Sequence, residues 1–338
     1  MNAKLGGASN SAVILPEKEK VSYKAGNRKA IILSGPTATG KTALSLILAK
    51  ALGGEIISAD SMQVYKKMDI GTAKATKEQR EEIPHHLIDI RDMCQSFNVV
   101  EFYQEATEAM NSIFARNKVP IVVGGTGFYI HTLLYGPPLG PPANQHVRRG
   151  LEEDMERFGP EPLYEKLKEV DPVYAKKITS NDRHKIIRAL EIITLTQKRV
   201  SDFLRTPQSG GHPDINFRCW FVYYCKALLY PRIEQRCEEM AARGFLEEVK
   251  ALDKENLREN LSASQAIGYR QALEYLDSSQ TQKDYEEFLW SFKKASKRYA
   301  KRQFTWFRKE PIFRWLDLEA YEQSRATELI LHDFENSL

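Results

Sequence analysis

The chain has 338 residues, 42% of them hydrophobic and 28% charged, with a net charge of +4. That is the composition of an ordinary globular protein of about two domains' length, and no apolar run approaches the roughly 18 residues a membrane span needs. Cys94, Cys219, Cys225 and Cys237 are scattered without a CxxC pair and no secretory apolar segment is present, so reduced thiols in a cytoplasmic protein are expected rather than a disulfide framework or a zinc site.

Residues 1–27 are mixed, small and charged, and read as a flexible extension. Residues 29–34 (KAIILS) form a short apolar run that stops at a Gly-rich turn, the pattern of a buried parallel strand. Residues 43–52 repeat apolar side chains at helical spacing, 54–60 (GEIISAD) read as a second strand, about 101–116 as a helix, and 119–124 (VPIVVG) as another strand. Strand and helix alternate, which predicts an α/β fold with a parallel sheet and helices on both faces. Residues 136–142 (GPPLGPP) and 206–216 (TPQSGGHPDIN) are turn-rich breaks, and the charged stretch from 147 to about 204 between them looks helical. The expected organisation is therefore a core of residues 28–140 and 207–338 with a small all-helical domain, 141–206, inserted into it. Residues 217–224 (FRCWFVYY) read as an aromatic strand, and the remainder as largely helical.

Residues 35–42 (GPTATGKT) match G-x-x-x-x-G-K-[ST], directly after one predicted strand and opening a predicted helix. Gly35, Pro36, Thr37, Ala38, Thr39 and Gly40 would let backbone N–H groups curl around phosphate oxygens at a helix N-terminus. Lys41 would neutralise phosphate charge and the Thr42 hydroxyl would help hold Mg²⁺. This P-loop does not choose the reaction. ATPases and GTPases place a carboxylate at the end of a second apolar strand, but here 121–123 end in Gly124-Gly125-Thr126. The acid sits instead at Asp60, at the C-terminal end of another strand, on the sheet edge where ligands bind. Asp60 has three readings at this point: a proton acceptor for a nucleophile, a Mg²⁺ partner through water, or a helix-capping residue.

Eight strings then stand in the order of one family. They are the P-loop, 57–65 (ISADSMQVY), 68–74 (MDIGTAK), 84–89 (PHHLID), 124–129 (GGTGFY), 181–191 (NDRHKIIRALE), 265–270 (QAIGYR) and 299–308 (YAKRQFTWFR). From about Lys29 to Trp315 the chain resembles the bacterial tRNA dimethylallyltransferases, or tRNA isopentenyltransferases, whose core is a P-loop NTPase-like parallel sheet. The resemblance implies transfer of the dimethylallyl group of dimethylallyl pyrophosphate to N6 of adenosine 37 in the anticodon stem-loop of tRNA, with Mg²⁺ at the pyrophosphate. It implies that Asp60 is the general base, that Lys41 stabilises the leaving group, and that Thr126 lies near the target base. Asp60, Ser61, Met62 and Gln63, with Gln265, Ala266, Ile267, Gly268, Tyr269 and Arg270, are implied to touch substrate nucleotides. Arg148, His184, Lys185, Ile186, Ile187 and Arg188 are implied to contact the RNA. Family members often carry Arg or Lys where this chain has Gln265. A monomer without membrane attachment is expected.

Outside the resemblance, residues 288–309 carry eight Lys or Arg and no acid. At about 100° per residue, Tyr285, Phe288, Phe292, Ala295, Tyr299 and Trp306 share one face and Lys294, Lys297, Arg298, Lys301 and Arg302 lie broadly opposite. The basic stripe reads either as a solvated face or as a surface for RNA phosphates, and its one-sidedness in a chain of +4 favours the second. Arg232 and Arg236, at helical spacing, either reach the pyrophosphate or face solvent. His85 and His86 read as structural hydrogen-bonding residues. The rival functions are an adenylate isopentenyltransferase acting on free AMP, ADP or ATP, which needs neither the inserted domain nor the basic helix, a nucleotide kinase, and a non-catalytic RNA-binding switch.

Overall fold

A computed structural model describes residues 28–203 and 211–336, so the expected N-terminal extension, 1–27, lies outside the described residues. The first half runs β1 (Arg28–Ser34), α1 (Lys41–Leu52), β2 (Glu55–Ser58), α2 (Lys77–Glu82), β3 (His85–His86), α3 (Val99–Ala115), β4 (Pro120–Gly124) and α4 (Gly127–Tyr135). Five helices follow, α5 (Gln145–Phe158), α6 (Pro160–Val170), α7 (Pro172–Ala175), α8 (Arg183–Thr196) and α9 (Val200–Phe203). The chain then returns through β5 (Ile215–Tyr223), α10 (Lys226–Ala242), α11 (Phe245–Asp253), α12 (Tyr269–Leu276), α13 (Gln282–Phe307), β6 (Arg314–Asp317) and α14 (Gln323–Glu335).

All six strands are parallel, in the order β3-β2-β4-β1-β5-β6. β1 lies inside the sheet, and its side chains alternate between two apolar layers. Ile31 and Leu33 pack with Leu44 and Leu48 of α1 and Ile330 of α14, while Ala30 and Ile32 join the layer containing Phe102, Met110 and Phe307. Each buried Leu or Ile contributes roughly 1.5–3 kcal/mol, so a strand covered on both faces needs no polar alternation. The α/β class, the parallel sheet and its two-sided cover are thus as the sequence predicts.

Local chemistry moves several boundaries. α3 starts two residues before the expected point because Asn98 and Glu101 form a reciprocal cap. Thr281 and Asp284 do the same for α13. β3 and β6 fall where the sequence suggested no strand. Helices α5–α9 surround an apolar cluster of their own, with Leu151, Met155, Leu163, Leu167, Ile186 and Leu190 at its centre. Asp171 ties the far end of this module together, accepting from Tyr174 N (3.0 Å) and Ser201 N (2.9 Å).

Candidate active site

A cleft of about 690 Å³ opens at the C-terminal ends of β1, β2 and β4. Thr37 to Thr42 form one wall, Asp60 to Gln63 and Gly71 to Ala73 another, and Arg236, Cys237 and Met240 of α10 a third, with Phe292, Ser296, Tyr299 and Gln303 of α13. Gln265, Ala266, Ile267 and Tyr269 also line it. The topology explains the meeting: in a parallel sheet every strand delivers its following loop to the same edge.

The 35–42 loop is braced by one internal bond and anchored from two sides. Thr39 Oγ1 donates to Pro36 O (2.9 Å), Thr37 N donates to Gln303 Oε1 (3.3 Å), and Arg232 Nε donates to Ala38 O (3.1 Å). Gln303 Nε2 donates to Gly125 O (3.0 Å), so one buried amide clips the loop to the end of β4. Lys41 Nζ turns back to Pro36 O (2.6 Å). Burial, with a smaller push from Arg236, lowers the Lys41 ammonium to about 7 against the opposing pull of Asp60. Burial likewise lowers Arg236. Two half-buried cations therefore stand together in the cleft, an arrangement suited to an anion.

Gly124 explains why β4 ends without a carboxylate. A Cβ there would lie 2.1 Å from Ala59 O, so the two strand ends pack backbone to backbone and no side chain fits. Asp60, two residues past β2, accepts at Oδ1 from Met62 N (2.9 Å) and Gln63 N (3.4 Å). It caps the turn at 61–64 with one oxygen, and the other accepts no hydrogen bond among the described residues, so the capping and the catalytic readings are compatible. Burial raises its pKa, opposed by those two amides and by Lys41 and Arg236. Ser61 N donates to Thr126 Oγ1 (3.3 Å), which places Thr126 behind the Asp60 turn and outside the cleft lining. Tyr299 stands near both; burial, then the Asp60 charge, pushes its phenol up, against a bond with Thr126. Arg236, Tyr299 and Gln303 carry the site as well: Tyr299 and Gln303 belong to the 299–308 string, and Arg236 had its helical pairing with Arg232 as its signal.

Not every motif residue faces the cleft. Arg270 points to solvent beside Glu274 (3.6 Å), whereas Tyr269 lines the cleft from a buried position and its hydroxyl donates to Glu248 Oε1 (2.6 Å). Gly35, Pro36 and Gly268 lie outside the lining. In the helical module, His184 and Lys185 are exposed but Ile186 and Ile187 are buried, so these two isoleucines pack the module and cannot meet RNA through their side chains. Arg148 and Arg188 both reach the buried Glu191 (2.9 and 2.7 Å). His86 pairs with Glu55 (2.7 Å), and His85, which also lines the cleft, contacts Ile83 O through Nδ1 (2.7 Å).

Beside the cleft runs a groove of about 850 Å³ along α13 and α4. Phe128, His131 and Trp306 supply aromatic surface, and Arg298, Lys301, Arg302 and Lys309 supply positive charge. Phe128 and Trp306 are 44% and 39% exposed and meet edge to face at 6.2 Å, an unusual exposure for large rings in water. Arg302 lines groove and cleft alike, so the two adjoin there. The buried seam of α13 is Phe288, Phe292, Ser296, Ala300, Gln303 and Phe307, which differs from the expected face in leaving Trp306 outside.

A family model described as IPP transferase matches residues 63–310. The chain is 53% identical over 330 residues to a tRNA dimethylallyltransferase of Protochlamydia amoebophila, covering 96% of this chain and 94% of that one. It is 47% identical over 318 residues to a tRNA dimethylallyltransferase of Chlamydia pneumoniae, covering 94% and 93%. Among solved structures, a tRNA isopentenylpyrophosphate transferase of Bacillus halodurans superposes with a TM-score of 0.65 at 38% identity, over 91% of this chain and 97% of that one. A eukaryotic dimethylallyltransferase acting on tRNA superposes with a TM-score of 0.75 at 29% identity, over 91% and 79%. The matched model begins at Gln63, so the 35–42 loop and Asp60 fall within the whole-chain matches alone.

Proposed function

The chain belongs to the IPP transferase family, and from that membership we propose that it is a tRNA dimethylallyltransferase that prenylates N6 of adenosine 37 from dimethylallyl pyrophosphate. The observation that carries this reading is the junction at Arg302: a half-buried carboxylate and two half-buried cations line one cleft, and that cleft adjoins a basic, aromatic groove. The cations suit the pyrophosphate. The groove suits RNA, whose phosphates meet Arg298, Lys301 and Lys309 and whose unstacked bases meet Phe128 and Trp306. A free nucleotide has no use for such a groove.

The adenine amine attacks C1 of the dimethylallyl group, the C1–O bond breaks, and its electron pair leaves with pyrophosphate. The N6 proton passes to the other carboxylate oxygen of Asp60, whose raised pKa makes it a better base than an exposed aspartate. Lys41, Arg236 and the loop amides stabilise the charge that develops on the leaving group. No water is activated, in keeping with the bare Gly124 strand end. Thr42, exposed in the first turn of α1 and lining the cleft, offers a hydroxyl oxygen. Together with pyrophosphate and water oxygens that is a hard donor set that fits Mg²⁺, which binds largely through substrate phosphates and would neutralise the departing pyrophosphate.

The test offers labelled dimethylallyl pyrophosphate with an anticodon stem-loop bearing A36-A37-A38, with AMP, or ATP with a small acceptor. Label is expected in the stem-loop. Label in AMP but not RNA would establish the free-nucleotide enzyme instead.

A further inference from the structure

Glu248 lies in the first turn of α11, outside the cleft lining, and the chemistry above makes no use of it. Its carboxylate is nevertheless filled. Oε2 accepts from the amides of Asp69 (3.0 Å) and Ile70 (2.6 Å), and Oε1 from the Gly71 amide (3.2 Å) and the Tyr269 hydroxyl (2.6 Å). Four donors on two oxygens is the full complement of a carboxylate. The loop is drawn so close that a Cβ on Gly71 would meet Phe245 at 2.3 Å and Tyr269 at 2.6 Å.

From this clamp a short chain of hydrogen bonds runs to the reacting carboxylate. Gln63 Nε2 donates to Thr72 O (3.2 Å), and Gln63 Oε1 accepts from Ser58 Oγ (2.8 Å), so both ends of that amide are fixed. Gln63 N in turn donates to Asp60 Oδ1 (3.4 Å). Gly71, Thr72 and Ala73 are themselves cleft wall. The 35–42 loop is tied elsewhere, through Gln303 and Arg232.

We propose that Glu248 is a positioning residue for the acceptor half of the site. By gathering three loop amides and the Tyr269 hydroxyl, it fixes Gln63, and through Gln63 the orientation of Asp60 toward the adenine amine. The proposal rests on the prenyl-transfer reading above. It also gives Tyr269 a role beyond lining the cleft, since its hydroxyl closes the clamp.

Because the clamp and the phosphate loop are separately anchored, the proposal separates kinetic constants. Glu248→Gln keeps the size of the side chain but turns an NH₂ toward two of the four donors. It is expected to lower kcat on the stem-loop by about ten- to a hundredfold while KM for dimethylallyl pyrophosphate stays within about twofold. Tyr269→Phe removes one donor and should lower kcat by about threefold. A loosened Gln63 amide bond also frees Asp60 to rise, so the acidic limb of the kcat–pH profile should move to higher pH in Glu248→Gln. A purely structural glutamate would move neither the limb nor kcat alone. The proposal is overturned if folded Glu248→Gln keeps wild-type kcat and limb, or if its KM for dimethylallyl pyrophosphate rises as far as kcat falls. Should that variant not fold, wild-type kcat in Tyr269→Phe overturns it. A wild-type protein that prenylates no RNA would instead remove the underlying reaction, a separate outcome because the variants are read against wild type.

Discussion

The helical module and the cleft both gather cations, and they treat them in opposite ways. In the module, Arg148 and Arg188 converge on one carboxylate, Glu191, which is 0% exposed and also accepts from the Asn144 amide (2.7 Å). Arg188 reaches Pro141 O as well (2.6 Å), so this cluster ties α5 and α8 to the Pro-rich connection. In the cleft, Lys41 and Arg236 repel one another, and among the described residues neither forms an ion pair. A cluster with its counter-charge built in holds the fold together; two half-buried cations that face only the distant charge of Asp60 suit an anion supplied from outside.

Two substitutions test that contrast most strongly. Asp60→Ala should lower prenyl transfer by about a hundredfold or more while the stem-loop still binds, which single-turnover and RNA-binding measurements separate. Unchanged turnover would remove Asp60 as the base. Glu191→Gln should leave two arginines sharing a neutral partner and lower the unfolding free energy by about 3 kcal/mol in chemical denaturation. A loss well under 1 kcal/mol would mean that the arginines find other partners, and the module would then resemble the cleft more than the contrast allows.

The cleft half of this contrast was legible in the sequence because its signals are local. The apolar run of β1, the glycines of the loop and the periodicity of α1 lie within 25 residues, 28–52. Asp60 could be placed because β2 delivers it to the same edge. The missed elements have no such signal. His85–His86 and Arg314–Asp317 are strands only because β2 and β5 pair with them, a property of the partner rather than of the segment. The seam of α13 escaped for a related reason: Ser296 and Gln303 are polar, yet they sit inside because one faces Cys237 and the other bridges Thr37 and Gly125. The 183–188 string looked uniform in sequence, but on a helix it splits between exposed His184 and Lys185 and buried Ile186 and Ile187.

The unpaired cations of the cleft also predict a pH dependence. Free Lys41 is pushed down to about 7, chiefly by burial, and pyrophosphate favours the ammonium, so the bound form titrates higher. Below about 7 the lysine is already charged and affinity should level off. Above it, binding must draw in a proton, and affinity should fall by up to about tenfold per pH unit. Calorimetry at pH 8 in two buffers of different ionisation enthalpy should show uptake approaching one proton. No uptake would mean that Lys41 is charged before the ligand arrives. Arg236→Met should weaken pyrophosphate binding by about tenfold without lowering the thermal midpoint, since it removes a half-buried charge that forms no ion pair among the described residues.

The same contrast recurs on a single helix, where its effects are smallest. On α13, Lys297 pairs with Glu234 (2.5 Å) and Lys293 with Glu238, so two of the basic residues are neutralised by α10. Arg298 and Lys301, on the groove side, have no ion-pair partner among the described residues. If unpaired charge marks the ligand surface, Arg298→Ala and Lys301→Ala should each weaken stem-loop binding a few-fold and reduce the slope of log affinity against log salt by about 1. Lys293→Ala and Lys297→Ala should leave that slope unchanged, because an ammonium already paired with a carboxylate releases no RNA counterion. Equal slopes for all four variants would mean that RNA follows the whole basic stripe rather than the groove. The partnership with α10 would then have to open on binding, releasing Glu234 and Glu238 from their lysines.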